Sequence, residues 1–267
     1  MSSKQSEPLL PRAPCLRRAS CRTEVVSGIP AAELRSLCVH AGGREVLSRV
    51  SAVFRTGEIA VLCGRVGSGK TLLAHSIAGI RKPQLGTVRL NGYRVAMIFQ
   101  DAGHGLIGET VMDDLLFAAA SAGIYRSEAK TKALSLLTEM GLERLSERYT
   151  ITLSGGESRL VAIAGAILSG AGLIIADEPF VNLDWPSVQT VLRSILRLRE
   201  NGASVVVITH EVEKVLAHTD HLLVIDSGKL VLNRRFTREE ELSDADRAIL
   251  KNAGIRIIGS RTEQSWL

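Results

Sequence analysis

A glycine-rich segment from residue 64 to residue 71 has the spacing of a phosphate-binding loop. Its sequence, Gly-Arg-Val-Gly-Ser-Gly-Lys-Thr, fits G-x-x-x-x-G-K-[ST] between an apolar run and a helical pattern. Glycines let main-chain N–H groups wrap phosphate oxygens, aided by the positive end of the following helix. Lys70 is expected to reach the β and γ phosphates of a nucleotide, and the Thr71 hydroxyl to ligate Mg²⁺. A chance glycine-rich turn is the alternative, which the flanking elements disfavour. The predicted nucleotide-contacting residues of this loop are Gly64, Arg65, Val66, Gly67, Ser68, Gly69, Lys70 and Thr71.

Two adjacent carboxylates follow a short apolar run later in the chain. Leu173 to Ala176 has the composition of a buried strand, and Asp177 and Glu178 come directly after it. A carboxylate at this place suits a second Mg²⁺ contact, often through water, while its neighbour can polarise an attacking water. Two adjacent acids at a strand end can also be solvated surface. The phosphate loop upstream favours the functional interpretation.

A second pair of glycines lies in the segment from Leu153 to Glu157. Ser154 and Glu157 fit a capping box, so a helix start explains them without any ligand. Gly155 and Gly156 at the same helix start nonetheless present main-chain N–H groups to an anion. Because this helix is not the one that follows the phosphate loop, the chain carries two phosphate-recognising edges. We infer that each edge serves a different side of a shared nucleotide.

Four apolar runs rich in valine, isoleucine and leucine predict strands buried on both faces, as in a parallel sheet covered by helices. Ligands bind beyond the carboxyl ends of the strands in such sheets. Since every run ends in glycine or polar residues, the four endings are expected to converge on one crevice. The runs and endings are Ile59–Cys63 before Gly64, Val95–Phe99 before Gln100, Leu173–Ala176 before Asp177 and Glu178, and Val205–Ile208 before Thr209 and His210.

Helical periodicity replaces the strand pattern in the middle of the chain. Thr110 and Asp113 form a capping box, and we expect an inserted helical subdomain at about residues 105–168. Two further helices are predicted, Lys70 to Ile80 after the phosphate loop and Pro186 to Glu200 on an apolar stripe.

A small appendage is predicted after the last strand, which we place at Leu230 to Leu232. Two capping boxes, Thr237 with Glu240 and Ser243 with Asp246, start helices in it, the second ending near Gly254. The predicted division is therefore a main domain at 29–235 and a short C-terminal helical appendage at 236–267.

The composition is that of an ordinary globular protein. The 267 residues include 33 Lys+Arg and 28 Asp+Glu, for a net charge of +5, and 45% are hydrophobic, which excludes disorder as the main state. Both signs of charge are interleaved, so no nucleic-acid partner is expected. Residues 1–28 are the exception and predict a disordered basic tail. The longest uncharged stretch, Leu160 to Ala176, is shorter than the roughly 20 residues of a spanning helix. Any association with a membrane is therefore expected through a partner.

From Glu33 to Leu232, these motifs resemble the ATP-binding cassette (ABC) ATPases. The resemblance implies a P-loop NTPase α/β fold with a mostly parallel core sheet, N-terminal antiparallel strands and an inserted helical subdomain. It implies ATP and Mg²⁺ as cofactors, Glu178, His210 and Gln100 as catalytic residues, and Thr71, Gln100 and Asp177 around the metal. The corresponding family motifs are Walker A at 64–71, the Q-loop at Gln100, the signature at Leu153–Glu157, Walker B at Leu173–Glu178, the D-loop at Leu183–Asp184, and the switch histidine at His210.

The resemblance also implies partners and a place in the cell. The expected assembly is a head-to-tail dimer with a second ABC ATPase subunit, identical or different, docked on an integral membrane transport subunit at the cytoplasmic face of the membrane. Residues 106–114 and 242–254 are similar to ATPases of energy-coupling-factor importers, which carry vitamins or cobalt and nickel ions. Another ABC importer or exporter is the first alternative, and a non-transport ABC ATPase of DNA repair, chromosome structure or translation is the second.

The chain departs from the family pattern at several positions. Asp101-Ala102 replaces the usual Asn-Pro after the Q-loop glutamine, Asn182 the D-loop glycine, and Phe180 a small hydroxyl residue. The usual aromatic partner of adenine is also missing, because the first strand offers His40 and Ala41 there. His40 is the candidate substitute for adenine stacking, and an ordinary surface histidine is the alternative.

Overall fold

The computed structural model describes residues 30–237 and 240–257, so the predicted tail at 1–28 lies outside the described residues. The described strands are β1 Pro30–Ala41, β2 Arg44–Arg55, β3 Ile59–Cys63, β4 Leu85–Arg89, β5 Val95–Ile98, β6 Leu173–Asp177, β7 Ser204–Ile208, β8 His221–Asp226 and β9 Lys229–Arg235. The described α-helices are α1 Lys70–Ile77, α2 Val111–Ser121, α3 Arg126–Glu139, α4 Gly155–Leu168, α5 Trp185–Glu200 and α6 Asp244–Asn252. None of the helices among the described residues is long and apolar enough to cross a membrane.

The central sheet has six strands in the order β5-β6-β7-β3-β8-β9. Every neighbouring pair is parallel except β8 with β9, so the predicted mostly parallel sheet is confirmed. Both Leu62 of β3 and Asp177 of β6 pair with Ile208 at the end of β7. The carboxyl ends of these three strands therefore lie level with one another, as the sequence predicted.

Both faces of this sheet are buried. In β3, Ile59 and Val61 pack on one side with α5, while Ala60 and Leu62 pack on the other with α1 and the antiparallel strands. This two-sided burial explains why the strand reads as a continuous apolar run rather than an alternating one. The N-terminal antiparallel sheet has the order β2-β1-β4 and covers the second face.

Helices α2, α3 and α4 enclose a separate apolar core that includes Leu115, Leu137 and Val161. Helix α2 begins with the predicted capping box, in which the Thr110 hydroxyl accepts from the Asp113 N–H. Helix α4 also packs on the central core through residues such as Ile163. It is therefore the element that joins the helical region to the sheet.

Two predicted helices end or begin differently in the structure. Helix α1 ends at Ile77 rather than at Ile80, because Gly79 adopts a φ of 75°, a left-handed conformation that terminates helices. The Thr237 N–H donates to the Glu240 carboxylate at 2.6 Å as predicted, but the described residues 240–243 are not helical. The next capping box follows at once, with Ser243 and Asp246 starting α6. Among the described residues, the helix of the appendage therefore begins at the second capping box.

Candidate functional site

The phosphate loop runs from the end of β3 to the start of α1 and requires glycine at two positions. Gly64 has a φ of 145°, and a Cβ there would lie 2.0 Å from the Ile225 carbonyl oxygen. Gly69 has a φ of 106°, and a Cβ there would lie 2.5 Å from a methyl carbon of Leu47. The loop is therefore held tightly between β8 and the β1–β2 hairpin, with its main chain shaped by residues that carry no side chain.

Lys70 closes the loop from inside. Its side chain is buried, and its Nζ donates to the carbonyl oxygens of Gly64 at 2.9 Å and Arg65 at 3.0 Å. Ser68 is also buried, and its hydroxyl has no hydrogen-bond partner among the described residues. A buried hydroxyl without a partner is unfavourable unless a ligand satisfies it. The interior of the loop is thus polar, cationic and unsatisfied, which suits phosphate.

Asp177 ends β6 beside this loop and is 3% exposed. Burial raises the pKa of its carboxyl above the usual value, and the neighbouring Glu178 charge raises it further. A hydrogen bond with the Thr71 side chain acts in the opposite direction and lowers it. Its Oδ1 has no hydrogen-bond partner among the described residues. A buried carboxylate oxygen next to a threonine hydroxyl is a donor set suited to a hard divalent cation. The positive charge of such an ion would stabilise the ionised form of the buried carboxylate. Thr71 and Asp177 therefore fit the Mg²⁺ predicted from the sequence.

Glu178 and His210 lie in direct contact. The Glu178 Oε1 is 2.9 Å from the His210 Nδ1, and the second oxygen, Oε2, is buried without a partner among the described residues. Glu178 has a φ of 48°, a strained value for a residue of this type, and its N–H donates to the Ile208 carbonyl at 2.8 Å. The strained turn holds the carboxylate between the ends of β6 and β7. A carboxylate held by an imidazole is poised to accept a proton from water.

Gln100 follows β5, whose Ile98 pairs with Ala176 of β6. It is exposed, and its carbonyl oxygen accepts a hydrogen bond from Arg159 Nη2 of α4 at 3.2 Å. The residue therefore lies at the edge of the sheet, two positions beyond the last β5–β6 pair, and its main chain is tied to a different element. Sequence reasoning missed this tie, because Arg159 is a single cation within an apolar helix.

The segment at 154–157 starts α4 as predicted. Ser154 accepts from the Glu157 N–H at 3.2 Å, and Glu157 accepts in return from the Ser154 N–H at 2.9 Å. Arg144 and Arg148 both reach the Glu157 carboxylate at 3.3 Å. The Ser154 hydrogen bonds are the main cause of the low pKa of this carboxyl. Glu157 is therefore committed to the helix start, and the two arginines offset a charge that would otherwise repel an anion there.

No hydrogen bond among the described residues joins this segment to the phosphate loop. The chain brings Gly64 to Thr71, Asp177, Glu178 and His210 together, whereas Ser154, Gly155 and Gly156 belong to the helical region. Gly155 is exposed and Gly156 partly exposed, so the N–H groups at this helix start remain available to a ligand held by another molecule.

Asp184 and Asn182 shape the segment between β6 and α5. Asp184 caps α5 by accepting from the Ser187 N–H at 3.1 Å, and hydrogen bonds from Ser187 lower the pKa of its carboxyl. Asn182 has a φ of 57°. Asparagine tolerates this conformation better than most residues do, which explains how it stands where the family has glycine. Phe180, the other departure nearby, is fully buried in the core.

His40 lies near the turn of the β1–β2 hairpin, whose Leu47 touches the phosphate loop at Gly69. The ring Nε2 of His40 is 3.7 Å from the Glu45 carboxylate. The main-chain N–H of His40 donates to the Gln84 side-chain oxygen at 2.6 Å. The ring is about half exposed. His40 therefore sits on the hairpin that flanks the loop, with one side still open.

Residues 47–181 match the family model described as ABC transporter. The chain is 35% identical over 218 residues to a cobalt import ATP-binding protein, CbiO, of Syntrophus aciditrophicus, covering 76% of this chain and 78% of that one. It is 34% identical over 209 residues to an aliphatic sulfonates import ATP-binding protein, SsuB, of Corynebacterium glutamicum, covering 78% and 85%. Among solved structures, it superposes on cbiO1 of Clostridium perfringens, part of the ABC transporter complex cbiONQ, with a TM-score of 0.70 at 22% identity, covering 85% and 96%.

Proposed function

The chain belongs to the ABC transporter family of ATP-binding proteins, and we propose that it hydrolyses ATP at the crevice formed by the phosphate loop, Asp177, Glu178 and His210. Membership of the family makes it the ATP-binding subunit of a transporter, in which ATP hydrolysis is coupled to transport. The assignment of each residue to a step is our proposal. One observation carries it: the 2.9 Å contact of Glu178 with His210, directly after the buried Asp177.

The proposed binding step places the triphosphate in the loop at 64–71. Main-chain N–H groups and the Ser68 hydroxyl donate hydrogen bonds to phosphate oxygens. The Lys70 ammonium leaves its carbonyl partners in the loop and binds the β and γ phosphates instead. Thr71 and Asp177 would hold Mg²⁺, with Gln100 at the sheet edge as a further ligand. The ion would supply charge neutralisation on the phosphates.

In the proposed chemical step, Glu178 accepts a proton from the water that attacks the γ-phosphate. The buried Oε2 of Glu178 has no partner among the described residues, so it is available to that water. His210 holds the other oxygen and thereby fixes the direction of the carboxylate. Glu178 thus acts as base and His210 as the group that positions it and senses the γ-phosphate.

A second chain is needed to complete the site. The start of α4 at Ser154, Gly155 and Gly156 offers N–H groups to an anion but has no described hydrogen bond to the phosphate loop of its own chain. In a head-to-tail dimer, it would meet the nucleotide held by the partner, with Asp184 nearby at the interface. We propose that closure of this dimer on ATP drives the transport step and that hydrolysis reopens it.

We further propose that the transporter is an importer of the energy-coupling-factor type for a vitamin or transition-metal ion, with the chain peripheral at the cytoplasmic face of the membrane. The sequence features at 106–114 and 242–254 and the 35% identity to CbiO support this subtype. The 34% identity to SsuB, a sulfonate import protein, favours a different ABC importer as the second candidate. Affinity purification from native membranes, with mass-spectrometric identification of the integral subunit, distinguishes the two.

The catalytic proposal is tested by Glu178→Gln, which keeps the shape of the side chain and removes its basicity. We expect hydrolysis to fall by about 10² to 10⁴-fold, because that is the usual contribution of a general base, with ATP affinity retained. Glu128→Gln on α3, where the carboxylate pairs with Lys132 on the surface, is the matched control and should keep the wild-type rate. Near wild-type hydrolysis by Glu178→Gln would remove this residue from the mechanism.

A further inference from the structure

Arg159 lies inside α4, one turn beyond the helix start at Ser154, and is 5% exposed. A buried cation loses its hydration, and well-packed apolar residues of similar volume are often as stable or more stable at such positions. The stability of α4 therefore does not by itself account for an arginine here.

The contacts of the guanidinium point to the segment after β5. Its Nη2 donates to the Gln100 carbonyl at 3.2 Å, and its Nε is buried with no partner among the described residues. Burial lowers the pKa of Arg159 below its usual value, and the neighbouring Asp101 carboxylate opposes this shift. The attraction that keeps the cation in place thus comes from residues 100 and 101.

The two ends of this contact belong to different parts of the proposed nucleotide site. Gln100 follows β5, which pairs with the strand that carries the proposed Mg²⁺ ligand Asp177, while α4 begins with the glycines that we propose meet the nucleotide of the partner. We propose that Arg159 is a positioning residue that holds the main chain at Gln100 and so sets where the Gln100 amide stands relative to the metal. The inference rests on the proposed role of Gln100.

The consequence is a direct link from the signature helix to the metal site of the same chain. If α4 moves when the partner's nucleotide docks on it, the bond from Arg159 carries that movement to Gln100. Gln100 itself is exposed, so its position depends on such main-chain anchors rather than on packing.

The test combines a double-mutant cycle with a measurement that needs neither metal nor nucleotide. Gln100→Ala, Arg159→Met and the double variant are compared for kcat and for the Mg²⁺ concentration that gives half-maximal hydrolysis. Hydrogen–deuterium exchange of the peptide around residues 99–103 is measured in the nucleotide-free protein. Methionine is chosen because it replaces the arginine stem with an apolar chain of comparable length.

We expect each single variant to lower kcat by about tenfold, the size of one hydrogen bond to a charged group, and to raise the half-maximal Mg²⁺ concentration. The double variant should be no slower than the slower single variant, because residues that act as a unit are not additive. Exchange at 99–103 should be faster in Arg159→Met, with no loss of thermal stability. Arg159→Lys keeps the positive charge but loses the forked donor geometry of the guanidinium. Its kcat, half-maximal Mg²⁺ concentration and exchange rate at 99–103 should be intermediate between those of wild type and Arg159→Met.

Arg94→Met is the matched control. Arg94 also ties the sheet to the helical region, since its Nη1 donates to the Ser121 carbonyl at 2.6 Å, but this partner is on α2 rather than in the segment after β5. It should keep the wild-type rate and the wild-type exchange at 99–103.

Several results would overturn the inference. A wild-type rate and exchange in Arg159→Met would do so, as would multiplicative losses in the double variant or equal effects of Arg94→Met. If Arg159→Met does not fold, Arg159→Lys decides, and wild-type exchange at 99–103 in that variant would count against the proposal. A wild-type rate in Gln100→Ala would remove Gln100 from the proposed mechanism and the inference with it. A slow Gln100→Ala beside an unaffected Arg159→Met would remove the inference alone.

Discussion

Arg65 of the phosphate loop donates from its Nη2 to the main-chain carbonyl of Asn252, 2.7 Å away at the end of α6. The arginine also packs on Gly254, where a Cβ would lie 3.1 Å from its Cγ and Nε. A cation at a helix C-terminus interacts favourably with the last carbonyl groups. The C-terminal helix is therefore fastened directly to the loop that binds phosphate.

This contact predicts that Arg65→Ala weakens ATP binding without removing any catalytic group. We expect the dissociation constant for ATP to rise about threefold to tenfold, because loss of a modest hydrogen bond of about 1 kcal/mol loosens the loop. Isothermal titration calorimetry measures the change. Lys251→Ala, an exposed residue of the same helix, is the control. Equal affinities in Arg65→Ala and Lys251→Ala would show that α6 does not support the loop.

Lys70→Ala should abolish high-affinity nucleotide binding itself. The buried ammonium holds the loop closed through the Gly64 and Arg65 carbonyl groups and would neutralise phosphate charge in the ground state and in the transition state alike. The defect therefore precedes chemistry, unlike that of Glu178→Gln. An unchanged ATP dissociation constant, measured by calorimetry on a variant shown to be folded by circular dichroism, would contradict the assignment.

Mixing variants tests whether Ser154 acts on the nucleotide of the partner. Ser154→Arg and Glu178→Gln chains, each inactive alone, should recover hydrolysis when mixed, because one composite site then has an intact catalytic carboxylate and an intact helix start. The control places both substitutions on one chain and mixes it with wild type, so that the mixed dimer contains no intact site.

If Ser154 served the nucleotide of its own chain, the pattern would be reversed. The two single variants would stay inactive together, and the mixed dimer of wild type with the double variant would keep one working site. Phosphate release, measured on dimers verified by native mass spectrometry, distinguishes the two arrangements.

His221 predicts an acid-sensitive contribution to stability. His221 lies in β8 and is 0% exposed, and this burial lowers its pKa to about 4. The positive charges of Arg235 and Arg55 also lower the pKa. The hydrogen bond between its Nε2 and Asn233, at 2.6 Å, acts in the opposite direction. The unfolded chain binds this proton near pH 6.5 and the folded chain only near pH 4. The unfolded state therefore holds more protons between these values, and stability falls as the pH falls through that window.

His221→Gln should remove this dependence while keeping a polar partner for Asn233. Between pH 7.5 and pH 4.5, we expect wild type to lose roughly 2 to 3 kcal/mol more unfolding free energy than the variant, as the pKa difference implies. Urea denaturation at the two pH values measures it. Equal losses of unfolding free energy in wild type and His221→Gln would mean that His221 binds its proton equally well in the folded and the unfolded protein.

Much of the fold and the site was accessible from sequence because the features concerned are local. A glycine spacing fixes the main chain of the phosphate loop, capping boxes fix where α2, α4 and α6 begin, and apolar runs mark strands buried on both faces. The resemblance of these motifs to the ABC ATPases then predicted the family, which the comparison with known proteins confirmed. Helix ends were less accessible, as the early stop of α1 shows, since the conformation of a single glycine decides them.

The tertiary structure alone decided how residues distant in the chain act on one another. The contact of Glu178 with His210 depends on β6 and β7 being neighbours with level ends, and that of Arg159 with Gln100 on α4 packing beside the end of β5. The bond from Arg65 to Asn252 joins residues 187 positions apart. No periodicity or spacing encodes such contacts, because they arise from packing of whole elements. Local residue patterns determined which groups could do chemistry, and packing determined which of them hold one another in place.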